Sequence, residues 1–137
     1  MYTMMQVCRE LDMTYQTLKF YCNEGLVPHV KRDGNNRRVF DEKDVKWIKD
    51  LTCLKKCGMS IQEMKKYLEL CLQGEATIVS RKKMLARKQE ELRASIKELE
   101  DSISYIGWKQ NFYDEVLSGK RPYVSNLIRT AEKTKNN

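Results

Sequence analysis

The sequence predicts a mostly α-helical fold in two parts, a set of short helices carrying a basic hairpin and then one long helix that must find a partner. Three observations predict it. Two capped helical segments follow one another at the start, with only Asp12 and Met13 between the end of one and the cap of the next. A basic stretch comes after them, bracketed by Pro28 and broken by Asp33-Gly34-Asn35-Asn36. From 77 to 117 there is no proline, one glycine, and an apolar residue at every seventh position. Together these read as a winged helix-turn-helix DNA-binding domain followed by a long coiled-coil dimerisation helix. The expected division is 1–75 for the winged domain with its two following helices, 76–119 for the dimer helix, and 120–137 for a short tail.

The first helix is announced by Thr3 with Gln6 three residues later, a capping box. Met4, Val7, Cys8 and Leu11 fall on one stripe, so Cys8 is expected in the core. The second helix has a start signal in Thr14 and a stop signal in Gly25. Leu18 and Tyr21 face one way, toward a core. Tyr15, Gln16, Lys19 and Asn23 recur on the other side, where long donors and acceptors reach base edges and phosphates. Tyr15 has a plainer alternative, packing on Leu11.

Pro28 blocks any helical continuation, and the turn at 33–36 lies between two arms that carry Lys31, Arg32, Arg37 and Arg38. This reads as a basic wing. Four cations flanking a tight turn beside a polar-faced helix favour DNA contact over a plain solvated face. Asp41 caps a third helix with Asp44 in its first turn, and Val45, Ile48, Leu51 and Leu54 supply its buried side until Gly58. Ser60 with Glu63 opens a fourth, in which Ile61, Met64, Leu68, Cys71 and Leu72 recur at helical steps before Gly74.

In the long helix, Ile78, Leu85, Leu92, Leu99 and Ile106 form a heptad row, Ile96 and Ile103 fill complementary positions, and Gln89 is a polar interruption. Such a helix runs about 60 Å. Alone it cannot bury its stripe, so it must pair, most simply with the same helix of a second copy, as a homodimer. The alternative, folding back on the N-terminal domain, needs a break that Gly107 supplies poorly, since a mid-helix glycine costs only about 1 kcal/mol. Trp108, Phe112, Tyr113 and Leu117 either cap the coiled coil or pack on the other subunit. The tail offers Tyr123, Val124, Leu127 and Ile128 as a short amphipathic turn, then a polar end expected to be disordered.

Composition narrows the partners. The net charge of +7 favours a polyanion, although excess cation also serves solubility. The first dozen residues carry charge and contain no apolar run of signal or membrane-span length, so a cytoplasmic protein with no membrane partner is expected. Five cysteines, an odd number, argue against a secreted disulfide framework. His29 is the single histidine, and no Gly-rich phosphate loop or catalytic constellation is present. Neither an enzyme nor a bound metal or other cofactor is expected.

Three motifs carry a resemblance. TLKFYCNEGLVP looks like T-L-R-Y-Y-E-x-x-G-L-hydrophobic-x-P, NNRRVFDEKDV is similar to G-Y-R-x-Y-x-x-x-D-V, and CLKKCGMSIQEM is similar to L-x-x-x-G-hydrophobic-S-hydrophobic-x-E-I. On these the chain resembles the MerR family of bacterial transcription regulators over roughly its first 70 residues, and the long helix extends the likeness to about Gly119. The resemblance implies that Lys19 stands where the family has an arginine near phosphate, that Tyr21 matches a family tyrosine, and that Arg38 matches the wing arginine. Tyr15 and Gln16 occupy the variable positions where base readout is set. Asn36 replaces the wing glycine, Arg37 and Phe40 replace tyrosines, and Cys22 stands where glutamate is common. Asparagine tolerates a left-handed backbone, so the turn is expected to survive. Phe40 has no hydroxyl to offer a phosphate.

The resemblance further implies a dimer on an inverted repeat in a promoter whose spacer is too long, distorted on a signal so that RNA polymerase engages. Metal-sensing relatives carry a cysteine at the start of the long helix and a pair after it, whereas this chain has none beyond Cys71. That points away from the metal and iron–sulfur branches, and the few residues after Lys120 cannot form an appended drug-binding domain. What remains is a compact sensor, and the placement of Cys53 and Cys57 resembles the thiol and aldehyde-stress branch, a resemblance that implies Cys53 as the candidate sensor. Cys53 and Cys57 lie four apart on one helix face near Lys49, Lys55 and Lys56, and cations beside a thiol favour its reactive form. The alternative for Cys53 is a small core hydrophobe. A bridge between the two is poorly set for disulfide geometry. The readings that compete with a promoter regulator are a winged-helix protein-interaction adaptor and a recombination accessory factor.

Overall fold

Side-chain caps decide where the short helices begin. In the computed structural model, which describes residues 1–129, Thr3 Oγ1 accepts the Gln6 N–H at 3.2 Å and Gln6 returns the bond to the Thr3 N–H at 2.8 Å. Helix α1 (Met4–Leu11) follows, and Asp12 ends it in the left-handed region at φ 52°. Thr14 accepts the Thr17 N–H to open α2 (Tyr15–Asn23). Asp41 and Asp44 cap α3 (Glu42–Lys56) reciprocally, and Ser60 and Glu63 do the same for α4 (Ile61–Leu72). Each such cap contributes about 1 kcal/mol relative to alanine.

Between α2 and α3 lie β2 (Lys31–Arg32) and β3 (Arg38–Phe40), and β3 also pairs with β1 (Tyr2–Thr3) to give an antiparallel sheet in the order β1-β3-β2. Strand β1 is not foreseen from sequence, because two residues carry no alternation. Its existence depends on β3, where Phe40 pairs with Tyr2. The hairpin is tied by Asp33, whose carboxylate accepts the N–H groups of Asn35 (2.8 Å) and Arg37 (2.9 Å). Asn36 takes φ 61°, the left-handed conformation for which its short polar side chain is suited.

The core joins the helices to β3. Val7 of α1, Leu18 of α2, Leu26, Phe40 of β3, Ile48 and Leu51 of α3, Met59 in the loop before α4, and Met64 of α4 are fully buried. Phe40 therefore packs the sheet onto the helices, a task that needs no hydroxyl. Trp47 donates Nε1–H to the Leu26 carbonyl at 2.7 Å and stacks on Tyr67. In α4 the apolar row stops short, since Leu72 is exposed and Cys71 half-buried. A 3-10 turn, Gly74–Thr77, then leads into α5 (Ile78–Leu117). The buried Thr77 hydroxyl donates to the Leu70 carbonyl and accepts from Arg81 Nε at 3.1 Å.

The chain forms two compact units, Met1–Leu92 and 93 onward. Helix α5 has forty residues and not one buried side chain. In the second unit, Trp108 stacks on Phe112 at 6.0 Å, and Arg121 lies over the Phe112 ring while pairing with Glu115 at 2.8 Å. The expected amphipathic turn is only a hook in which Ser125 Oγ accepts the N–H groups of Leu127 and Ile128. The polar end of the tail lies outside the described residues. Among the described residues, no helix is long and apolar enough to cross a membrane.

Candidate nucleic-acid interface

Helix α2 is held from below and open above. Leu18 is fully buried and Tyr21 is 3% exposed, whereas Tyr15, Gln16, Lys19 and Asn23 are exposed on the opposite side. Tyr21, which its match to a family tyrosine offers as a candidate DNA-binding residue, lies on the core side, as its spacing from Leu18 predicts. Three residues after Leu18, it shares Leu18's side of the helix, and its burial pushes its hydroxyl pKa up. Only its edge reaches a shallow depression beside Thr17 and Lys55. Sequence reasoning passed over Phe20, which is 45% exposed and sits next to Gln16 on the open side of α2 at about 100° per residue. That angular position was a usable signal.

The wing stands beside this helix. Arg32, Arg37, Arg38, Asn36, Tyr15 and Met5 are among the residues around a cleft of about 480 Å³. Arg38 donates to Asn23 Oδ1 at 2.8 Å, joining the wing to the end of α2, and Arg32 donates to the Asn36 carbonyl at 2.9 Å across the turn. The Arg37 and Asn35 N–H groups hold the Asp33 carboxyl below its usual range, so it stays an acceptor at neutral pH. Cys22, half-buried beneath, has its thiol pKa pushed up by burial although Arg38 and Arg32 pull the other way. Lys31 lies apart, paired with Asp41 at 3.1 Å in an exposed contact that solvent leaves weak. The Asp44 N–H, and then Lys31, hold the Asp41 carboxyl low.

The structure thus gathers Tyr15, Arg32, Arg37 and Arg38 at one cleft and leaves Gln16 and Lys19 on the adjoining helix face. Planar guanidinium groups suit phosphate oxygens, and a helix row of amide, amine and phenol groups suits base edges. Met5, missed in the sequence because it precedes α2, adds an exposed apolar tip to the same cleft.

Cys53 is exposed on α3, as is Cys57, so the core-hydrophobe alternative does not hold for Cys53. Cys8 is the buried thiol, and desolvation pushes its pKa up. Among the described residues, no group of three or more His, Cys, Asp or Glu is placed to hold a metal ion.

Residues 2–71, more than half of the chain, match the model of the MerR HTH family regulatory protein. The chain belongs to the MerR family. Residues 45–106 of this MerR-family chain also match the model described as MerR, DNA binding. It is 32% identical over 114 residues to an uncharacterised HTH-type transcriptional regulator of Haemophilus influenzae, covering 83% of this chain and 84% of that one. Against the HTH-type transcriptional regulator AdhR of Bacillus subtilis it is 37% identical over 87 residues, covering 64% and 62%. Its fold matches the crystal structure of HiNmlR, a MerR family regulator lacking the sensor domain and bound to promoter DNA, with a TM-score of 0.70 and 32% identity over 85% of this chain and 89% of that one. The MerR-family chain is accordingly a DNA-binding transcription regulator and not an enzyme.

Proposed function

We propose that this MerR-family chain works as a cytoplasmic homodimer that binds an inverted repeat in a promoter and changes its distortion of that DNA, for RNA polymerase, when a thiol-reactive or aldehyde stress modifies Cys53. The observation that carries the dimer is the apolar row of α5, in which Leu85, Leu92, Ile96, Leu99, Ile103 and Ile106 are all exposed in the single chain. A second copy of the same row covers it by knobs-into-holes packing. Charge sets the direction. Residues 78–97 carry seven Lys and Arg against two Glu, whereas 98–117 carry one Lys against five Asp and Glu. Antiparallel pairing puts the basic half on the acidic half, and parallel pairing puts like on like. The functional parts remain 1–75 for reading, 76–119 for pairing and 120–137 as tail.

Two readers related by a two-fold axis require two half-sites in inverted orientation. Distorting the DNA between them costs a few kcal/mol, offset by contacts made only in the bent state. The promoter-bound crystal form of HiNmlR, described as lacking a sensor domain, supports the reading that a compact chain of this kind is sufficient for promoter binding. Cys53 stands in the last turn of α3, and two residues past that helix lies Gly58, whose carbonyl accepts a bond from Lys88 of α5 at 3.4 Å. Bulk or charge added at Cys53 therefore acts close to the joint between reader and long helix. A gel shift with the DNA upstream of the chain's own coding region tests the regulator against an adaptor. The expected result is a retarded species containing two chains, and failure to bind that DNA or any selected duplex contradicts it. Cys53→Ser is expected to abolish induction by aldehyde or disulfide stress, and unaltered induction sinks the sensor.

A further inference from the structure

The solvent-facing side of α3 carries two thiols one turn apart. The Cys57 N–H donates to the Cys53 carbonyl at 3.1 Å, and the Cys57 backbone stays right-handed at φ −75° and ψ 0°, so the pair keeps helical register although Cys57 already caps the helix. Both are free and exposed. Counting about 100° per residue from the buried Ile48 places both on the far side of the helix, and they share one face. In this register their Cβ atoms lie about 5–6 Å apart. A disulfide needs about 3.5–4.5 Å between Cβ atoms, so the pair cannot close on itself without unwinding the last turn. What the spacing accommodates is one soft atom between the two sulfurs. With bonds of about 2.3 Å, the length of a zinc–thiolate bond, such an atom spans sulfurs up to about 4.6 Å apart.

We propose that Cys53 and Cys57 form a two-point dithiol site for a thiophilic centre that takes two thiolates at a single atom, the class represented by organic arsenic(III) compounds. With an arsine oxide, two arsenic–sulfur bonds form and the arsenic–oxygen bonds break. The oxygen leaves as water with the two thiol protons, and no oxidation state changes. Ions that require three or four protein ligands find no such group among the described residues. Closing a ring across the last turn of α3 stiffens the segment that runs into Gly58 at φ 87° and its contact with Lys88. The site stands apart from the Cys53 signal proposed above, since alkylation of one thiol needs Cys53 alone and the dithiol needs both.

The test treats the full chain with one equivalent of phenylarsine oxide, challenges it with excess glutathione, and reads the intact mass. Wild type is expected to keep one phenylarsenic group. Cys53→Ser and Cys57→Ser are each expected to lose it, with retention at least about 10²-fold lower because two-point attachment becomes one-point. Both positions are exposed, and circular dichroism is the check that each variant folds. In wild type carrying the group, peptide mapping after iodoacetamide should find Cys53 and Cys57 protected together. Undiminished retention in either variant, or protection of only one thiol, overturns the proposal. Cys57→Ser should still be alkylated at Cys53 by N-ethylmaleimide, so failure of the dithiol and failure of the Cys53 signal are seen separately.

Discussion

Arg38 lines the wing cleft and at the same time donates to Asn23 at the end of α2, so it both faces the proposed backbone track and positions the reading helix. Arg38→Ala should weaken binding to every sequence and lower the slope of log affinity against log salt by about 1, as loss of one phosphate contact does. Gln16→Ala, on the open face of α2, should change which sequence is preferred and leave that slope alone. Salt titrations on selected and scrambled duplexes distinguish the two. Asn36 gives a second prediction. At φ 61° it holds the turn in a conformation that costs an ordinary L-residue about 1–2 kcal/mol. Asn36→Gly should therefore keep wild-type stability and binding, whereas Asn36→Val should lower DNA affinity and loosen the hairpin, read by denaturation and gel shift. Some of this was legible in the sequence, because capping and turn chemistry are local. The burial of Tyr21 was legible too, since its spacing from Leu18 marks it for the core; the family match that groups it with the DNA-binding residues says nothing of burial. Cys53 was obscured by cysteine's habit of burial, although its angle from Ile48 points outward.

Among the elements, α4 depends most visibly on charge. Glu63 returns the cap bond to the Ser60 N–H at 2.9 Å and pairs with Lys88 of α5 at 3.2 Å. The Ser60 N–H first, and Lys88 after it, hold the Glu63 carboxyl below its ordinary value of 4.5. A carboxyl whose pKa is lower folded than unfolded contributes stability above the unfolded value and loses it as pH falls through the folded one. The melting temperature of wild type should therefore exceed that of Glu63→Gln at pH 6, with the difference shrinking below about pH 4.5. Ser60→Ala should cost about 1 kcal/mol at either pH, measured by urea denaturation. The helices α1 to α4 were legible because each has a capping residue and apolar positions at helical steps, and α5 because its apolar row repeats every seven residues without a proline. Strand β1 was not, because its two residues are extended only by virtue of pairing with β3.

At the scale of the whole molecule, the proposed homodimer joins the exposed apolar row of α5 to an exposed basic reader. Leu99 is 64% exposed in the single chain, at the middle of the α5 row. Leu99→Asp should convert a dimer of about 32 kDa, twice the chain's 16.2 kDa, into a monomer by sedimentation and abolish high-affinity binding, with the winged domain still folded by its near-ultraviolet signal from Trp47. The heptad row was legible from spacing alone, whereas the direction of the proposed pairing was not read from the sequence, because an apolar row of that spacing serves either direction. The most direct measurement is selection of bound duplexes from a random pool by the full chain. An inverted repeat with one fixed spacing is expected, with enrichment lost in Leu99→Asp. Enrichment of a single asymmetric site, or of the same site by that variant, would contradict a paired reader.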